Sequence, residues 1–319
     1  MFYFLSLFSG ALISIMIAFN GGLAEHYGLY TASVLIHFTG LIFITFLIWI
    51  HKDKILHKRH PWYLYTGGFI GVISIIFTNV AFSRISVSAI LALGLLGQCI
   101  AGIVVDQYGL MGMSKVPFTK KKWIGIIIIT LGIAPMLNSF DLLAVLLAFT
   151  AGVTVLVART ANANLAEVTS IQTSTFYNYC FGVLGSIVAL LLLGRGEIGY
   201  LSFDLSTSLN HWQLYLGGML GVVLVSICNF AVKKMSAFYF TLLLFIGQIF
   251  MGLIVDVILT GELVILNLIG GILVTIGLCV DLILDHKGNS TDPSNNSPDS
   301  SNNSTDSNNN STDSNSTNQ

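Results

Sequence analysis

Long apolar runs, separated by short polar stretches, follow one another along the chain from residue 3 to about residue 284. An α-helix needs about 20 apolar residues to cross a hydrocarbon core of ~30 Å, so runs of this length predict membrane-spanning helices. Ten runs are of this kind: 3–23, 30–50, 62–82, 87–108, 123–139, 142–160, 172–193, 213–232, 237–258 and 264–284. Because the runs fade gradually, their ends are placed only to within several residues.

The runs also repeat. Residues 62–106 align without a gap with residues 212–256, and sixteen of the 45 positions are identical. Several of the identical residues are polar or small, so shared apolar character does not explain the match. The first and fifth helices of each half match as well, at offsets of 142 and 145 residues. A duplicated helical membrane unit is typical of secondary transporters.

The composition supports a membrane protein. Apolar residues make up 54% of the sequence, charged residues make up 9%, and the mean hydropathy is +0.82. Soluble domains carry about 25% charged residues, so this composition excludes an ordinary soluble domain. The four cysteines lie within the apolar runs, without the spacing of a metal site or a disulfide framework. We expect no built-in ATPase, no enzyme activity, no cofactor, no metal and no nucleic-acid partner.

Lysine and arginine collect on one side of the predicted membrane. With the N-terminus in the cytoplasm, twelve of the 14 fall on the inner side: Lys52, Lys54, Lys58, Arg59, Lys115, Lys120, Lys121, Lys122, Arg159, Lys233, Lys234 and Lys287. The outer loops hold Arg84 and Arg195. The positive-inside rule therefore predicts a multi-pass protein of the cytoplasmic membrane with both termini in the cytoplasm.

The repeat predicts an all-α integral membrane fold in three parts. Residues 1–140 form a first five-helix repeat and residues 141–287 a second. Because five is an odd number, the second repeat enters the membrane from the opposite side, which makes the two units inverted repeats. Residues 288–319 are rich in Asn, Ser, Thr and Asp, with no apolar residue to bury, and predict a disordered cytoplasmic tail.

Polar residues inside the predicted helices need a partner or a watery cavity, because an unsatisfied polar group in hydrocarbon costs several kcal/mol. The candidates for lining a substrate cavity come in matched pairs: Gln98 and Gln248, Asn79 and Asn229, Asn20 and Asn162. Gln98 and Gln248 each start a ridge of residues spaced by four, followed by a glycine and an aspartate. Interhelical packing bonds are the alternative role, and the two roles are compatible.

Asp106 and Asp256 end these ridges, near the C-terminal ends of their helices. A negative charge is unfavourable there because the helix dipole is negative at that end. Each carboxylate therefore needs a basic neighbour, backbone donors or a bound proton. The two aspartates are candidates for proton coupling or gating; capping of a neighbouring loop is the alternative.

Several sequence blocks together resemble the YdcZ-type members of the drug/metabolite transporter superfamily. The blocks are Asn-Gly-Gly-Leu-Ala-Glu at 20–25, Gly67-Gly68 through Asn79, and Gly97-Gln98 through Leu110. The resemblance implies five-helix units, here fused into ten helices, and a role as an inner-membrane exporter. The first helix lacks the glutamate that small multidrug-resistance relatives use to bind protons and cations.

We therefore predict a transporter that exports a small organic solute by alternating access. Its expected partners are a substrate that the sequence does not identify, membrane lipids and protons as a coupling ion. A monomer and a homodimer both remain open. A lipid scramblase or small-solute channel of the same fold is the main alternative, since it would share every feature above. A membrane-embedded lipid enzyme would need clustered acidic or histidine residues, and the sequence offers isolated carboxylates.

Overall fold

The computed structural model describes residues 2–53, 55, 60–112, 122–137, 141–201, 212–232 and 237–290. Within these residues the chain forms ten α-helices and no strand. Helices α1 to α10 are Phe2–Tyr27, Leu29–His51, Gly67–Phe82, Val87–Tyr108, Lys122–Ile133, Leu142–Val168, Ile171–Leu193, Leu216–Val232, Ala237–Thr260 and Ile265–Ser290. Short 3-10 turns, Trp62–Tyr65 and Trp212–Tyr215, precede α3 and α8.

Seven of the described helical segments are long and apolar enough to cross a membrane by length and composition. Three further apolar helical segments, Trp123–Met136, Trp212–Val225 and Ile265–Val280, are shorter. The chain is thus an all-helical protein with the composition of a membrane protein. Large apolar side chains such as Leu192, Ile258 and Trp49 are exposed on its surface, where lipid would cover them.

Two helices extend beyond their predicted ends. Helix α1 continues to Tyr27, and α6 continues to Val168 rather than ending near residue 160. The assignment of Arg159 to an inner loop is therefore wrong, because this residue lies within α6. Polar residues can continue α6 because they find partners: Asn164 Nδ2, for example, donates to the Met111 carbonyl oxygen at 2.8 Å.

The last helix also extends further than predicted. Helix α10 continues to Ser290, so the first residues of the predicted tail, 288–290, are helical. Residues 291–319 lie outside the described part of the chain. The prediction of a disordered tail therefore falls almost entirely on residues that the structure does not describe.

The helices of the two halves interleave. Helix α1 packs against α8 and α9, and α6 packs against α3 and α4. Helix α2 packs along α7, and α5 along α10. Each contact thus has a counterpart in which the corresponding helices of the two halves are exchanged. The central helices consequently surround a shared interior, with α5 and α10 paired to one side.

Glycines allow the closest of these approaches, and they do so in matched pairs. A Cβ atom on Gly97 would collide with the Phe149 carbonyl oxygen of α6, and one on Gly247 would collide with the Leu7 carbonyl oxygen of α1. Phe149 and Leu7 are 142 residues apart, which is the offset between the first helices of the two units. The α4–α6 and α1–α9 interfaces therefore use the same backbone contact.

Candidate functional site

A cavity of about 250 Å³ lies at the centre of the interleaved helices. Its lining residues come from α1, α2, α3 and α4 of the first half and from α6, α7, α8 and α9 of the second. The cavity is therefore large enough for a small organic molecule.

Most of the wall is apolar, with a minority of polar groups. The apolar side chains include Ile13, Met16, Ile17, Ile36, Ile75, Ile90, Leu91, Leu224 and Val225. The polar side chains are Asn20, His37, Ser74, Thr78, Asn79, Gln98, Arg159, Asn162, Asn178, Tyr179 and Gln248. An apolar pocket with a few placed polar groups is typical of small-molecule sites.

The structure brings five of the six predicted substrate-binding residues to this one cavity: Asn20, Asn79, Gln98, Asn162 and Gln248. The backbone of the sixth, Asn229, belongs to α8, and its side chain lies outside the described residues. Their common location fits the hypothesis that matched polar positions converge on a shared interior.

Gln98 is held in place by two contacts. Its Nε2 donates to the Gly94 carbonyl oxygen at 3.2 Å, and its Oε1 accepts from Arg159 Nη1 at 3.0 Å. Arg159 itself is exposed and lines the cavity. Sequence reasoning missed this arginine because it treated the charge as the end of a helix. The helical spacing of Arg159 and Asn162 was the available signal, since residues three apart share a helix face.

Asn79 and Asn20 are buried in the cavity wall with unsatisfied polar atoms. Asn79 is 3% exposed and Asn20 is 5% exposed. Both amide atoms of Asn79, and Oδ1 of Asn20, have no hydrogen-bond partner among the described protein atoms. Because a buried unpaired amide destabilises the fold, such groups in a native structure call for an explanation such as a ligand. The two residues are thus candidate ligand contacts.

Asn162 makes hydrogen bonds through its side-chain amide and its main-chain carbonyl oxygen, and Gln248 accepts one at its main-chain carbonyl oxygen. Asn162 Nδ2 donates to Asn178 Oδ1 at 2.9 Å, and the Asn162 carbonyl oxygen accepts from Ser174 Oγ at 2.7 Å. On the opposite side, Ser14 Oγ donates to the Gln248 carbonyl oxygen at 2.7 Å. These bonds join α6 to α7 and α1 to α9 beside the cavity, so packing and cavity lining occur at the same residues.

His37 and Tyr179 face each other where α2 crosses α7. His37 Nδ1 lies 2.8 Å from the Ser33 carbonyl oxygen and 3.0 Å from Ser186 Oγ. The Tyr179 hydroxyl donates to the Gly218 carbonyl oxygen at 3.2 Å. Both rings are buried and both line the cavity. They occupy equivalent positions of the two halves but form different hydrogen bonds.

Asp256 lies away from the central cavity, at the C-terminal end of α9. Its carboxylate accepts from the backbone nitrogens of Val87 at 2.6 Å and Ser88 at 3.0 Å, and from the Ser88 hydroxyl. These donors are the first residues of α4, whose dipole is positive at that end. The backbone donors of α4 thus supply the compensation that the sequence required. The side chain of Asp106 lies outside the described residues.

Two more contacts tie helix ends together on the same side of the molecule. Arg84 Nη1 and Asp141 Oδ2 form an ion pair at 2.8 Å, and Asp141 also caps α6 by accepting from Ala144 N. The hydrogen bond from Arg84, then that from Ala144, holds the Asp141 pKa below its usual value. Glu197 accepts from the backbone nitrogens of Leu29, Tyr30 and Thr31, which begin α2.

The part of the chain that the structure describes has no group of three or more His, Cys, Asp or Glu residues placed to hold a metal ion. The cavity chemistry is instead that of amides, one guanidinium group, one imidazole, hydroxyls and apolar side chains. Such a site can bind and orient a solute through hydrogen bonds.

Comparison with known proteins agrees with this architecture. A crystal structure whose description names no function is similar over 90% of this chain and 96% of its own, with a TM-score of 0.56 and 15% sequence identity, which shows a shared fold. No curated protein matches the chain. The model of the YdcZ family, described as "Putative inner membrane exporter, YdcZ", matches residues 1–134 and 143–280. This match covers nearly all of the ten helices, and the chain therefore belongs to the YdcZ family.

Proposed function

We propose that the protein is a secondary transporter that moves a small organic solute out of the cell by alternating access through the central cavity. The observation that carries the proposal is that both halves of the chain line this cavity with matched polar residues. Asn20 and Asn162 are one such pair, and Gln98 and Gln248 are another. A binding site at the interface of two repeats is typical of secondary transporters.

The proposal includes an inverted repeat, which the recurring contacts support. A Cβ atom on Gly67 would collide with Asn162 Oδ1, and one on Gly217 would collide with Asn20 Oδ1. The two glycines are 150 residues apart and the two asparagines 142, which are the offsets of the sequence repeat. Two units with the same contacts can exchange conformations, which is one physical route to alternating access.

The proposed orientation follows from the cationic loops. Without Arg159, eleven Lys and Arg residues remain on the cytoplasmic side against Arg84 and Arg195 outside. The bonds of Asp256 to α4, of Arg84 to Asp141 and of Glu197 to α2 then lie at the outer end of the cavity. In this arrangement Asp256 acts as a gate residue, because its bonds must break for the outer end to open. Asp106 occupies the equivalent sequence position and has the corresponding role at the inner end.

Cysteine labelling tests this proposal without knowledge of the substrate. Thr78 lines the cavity, so a Thr78→Cys variant reports when a membrane-impermeant maleimide reaches it. We expect slow labelling from outside intact cells and faster labelling when Asp256→Asn weakens the outer closure. Inverted vesicles should label from the cytoplasmic side. The parent chain, with its four native cysteines, gives the background.

Glu262→Gln is the matched control, because this exposed carboxylate lies just beyond the end of α9, close in sequence to Asp256. Its neutralisation should leave labelling of Cys at position 78 unchanged. Equal, rapid labelling from both sides before any gate substitution would indicate a channel or scramblase and overturn alternating access. Absence of labelling from either side, in the parent and in the Asp256→Asn variant, would overturn the assignment of the cavity as the transport path.

A further inference from the structure

We infer that the central cavity has a subsite beside His37 and Gly71 that binds a hydroxyl group of a neutral solute, such as a phenol. The inference rests on the proposed function, because it names the chemical class of the transported solute. Two observations lead to it. The imidazole of His37 has an unused acceptor atom, and the space that a tyrosine hydroxyl fills in the second half of the chain is open in the first.

The hydrogen bonds of His37 determine which nitrogen of the neutral imidazole carries the proton. Nδ1 lies 2.8 Å from the Ser33 carbonyl oxygen, which can only accept, so Nδ1 is the donor. Nε2 is then the acceptor, and it makes no hydrogen bond within the described residues. His37 is 3% exposed and lines the cavity. A donor on the solute would therefore supply the partner that Nε2 lacks.

His37 and Tyr179 cross the facing helix in the same way. A Cβ atom on Gly182 would collide with the ring of His37, and one on Gly40 would collide with the ring of Tyr179. The two glycines, like the two ring residues, are 142 residues apart. Each ring thus lies on a glycine of the facing helix and borders the cavity.

The longer ring reaches a third helix, and the shorter ring leaves space there. Tyr179 extends to α8, where its Oη would lie 2.5 Å from a Cβ atom on Gly221. The equivalent glycine of α3 is Gly71, 150 residues earlier, which lines the cavity and has no atom within 4 Å of an added Cβ. A solute hydroxyl in this space would take the position that the phenol group occupies in the other half, and would donate to Nε2.

The surroundings favour a neutral donor over an ammonium group. Among the lining residues that the structure describes, none is an aspartate or a glutamate, so a cation in the cavity would find no carboxylate there. Isoleucine and leucine side chains from α1, α2, α4 and α8 form much of the wall, which suits an apolar body. A small aromatic alcohol or phenol meets both conditions.

The test compares solutes of similar shape on the purified full-length protein. Phenol is paired with fluorobenzene, and benzyl alcohol with benzylamine, and binding is measured by titration calorimetry with protein-free detergent as the reference. We expect phenol to bind about three- to tenfold more tightly than fluorobenzene, as for one neutral hydrogen bond. Benzyl alcohol should bind more tightly than benzylamine. Equal or weaker binding of phenol would overturn the inference, as would a preference for the amine or binding by none of the probes.

Substitutions in α2 assign the preference to Nε2. His37→Asn keeps an amide donor for the Ser33 carbonyl oxygen but removes the acceptor, so phenol should bind no more tightly than fluorobenzene. His51→Asn is the matched control, because His51 Nδ1 lies 2.9 Å from the carbonyl oxygen four residues earlier in the same helix, and His51 does not line the cavity. It should change neither affinity. A phenol preference that survives His37→Asn would contradict the assignment.

Two larger side chains test the space itself. His37→Tyr gives the first half the side chain of the second, and Gly71→Leu fills the space while keeping the imidazole. Both should weaken phenol binding at least about threefold, and they decide the matter if His37→Asn does not fold. Unchanged phenol binding in both would overturn the subsite. Labelling of Thr78→Cys does not depend on the solute, so sided labelling without a phenol preference would overturn this inference alone. Phenol binding with equal labelling from both sides would overturn the proposed carrier alone.

Discussion

Asn79 and Asn267 present the same buried amide in two settings. Asn79 lines the cavity at 3% exposure, and Asn267 lies in α10 at 2% exposure, outside the cavity lining. Each has at least one polar atom without a hydrogen-bond partner among the described protein atoms. Comparing the two residues therefore separates the destabilisation that a buried unpaired amide causes from any contribution of that amide to solute binding.

Asn79→Leu should therefore leave the protein as stable as the parent, or more stable by up to about 1 kcal/mol, while weakening binding of the solute in the proposed cavity. The physical reason is that replacing an unsatisfied polar group by an apolar group of similar shape removes a desolvation cost. Asn267→Leu should have the same effect on stability and none on binding. Thermal unfolding measures the effect on stability, and a thermal-shift screen of small organic solutes, run on the parent and both variants, measures the effect on binding. Marked destabilisation by Asn79→Leu alone would indicate a structural role.

At the scale of residues, the sequence pointed to cavity-lining positions where the two halves match and missed one where they differ. Asn20, Gln98, Asn162 and Gln248 were identified because each has a counterpart at a fixed offset, and equivalent positions converge on the interior. Arg159 has Ile17 as its counterpart, so the repeat gave no signal for it. The partners of Asp256 lie about 170 positions away in α4, a contact that only the tertiary fold specifies.

At the scale of helices, close backbone contacts hold the halves together. Gly97 of α4 is buried against the backbone of α6, whereas Gly71 of α3 has no atom within 4 Å of an added Cβ. The two glycines therefore differ in whether a methyl group can be accommodated. A backbone carbonyl oxygen, unlike a flexible side chain, cannot turn away from the added atom.

Gly97→Ala should destabilise the protein by about 1–3 kcal/mol, since the added methyl group overpacks the α4–α6 interface. Gly71→Ala should be neutral or stabilising by up to about 1 kcal/mol, because alanine favours a helix more than glycine does. Unfolding midpoints in detergent measure both changes. Equal effects of the two substitutions would contradict the close packing of α4 on α6.

The Arg84–Asp141 pair gives the connection between α3 and α6 a pH dependence. Because the pKa of Asp141 is lowered in the folded state, its contribution to stability is present above the unfolded pKa and is lost as the pH falls through the folded pKa. Arg84→Gln should reduce this acid-dependent part of the stability. Unfolding midpoints measured from neutral to acidic pH, for the parent and the variant, check it. Parallel curves would show that the pair contributes nothing, as for many exposed ion pairs.

At the scale of the whole molecule, the sequence predicted the all-helical membrane fold well, because apolar runs and the repeat report directly on helices and their number. Helix ends were predicted less well, since Asn164 and Arg159 interrupt the apolar pattern of α6 but make contacts within the protein. The orientation of the chain in the membrane was predicted from the charges of the loops, and reporter fusions test it directly.

Alkaline phosphatase fused after Gly28, which lies between α1 and α2, should be active, and the same enzyme fused after Gln319 should be inactive. Green fluorescent protein fused after Gln319 should fluoresce. These results follow from cytoplasmic termini, because phosphatase folds in the periplasm and the fluorescent protein in the cytoplasm. The opposite pattern would reverse the orientation and place Asp256 at the inner end.

The differences between the two halves have an energetic consequence. In the proposed carrier, identical halves would make the inward-facing and outward-facing states equivalent by a two-fold rotation and equal in free energy, each occupied half of the time. Arg159 in one half corresponds to Ile17 in the other, and Tyr179 corresponds to His37, and these differences remove that equality. A difference of about 1.4 kcal/mol between the states is enough to favour one of them tenfold. These few unmatched side chains would then determine whether the proposed carrier, with no solute bound, mainly exposes its cavity to the cytoplasm or to the outside.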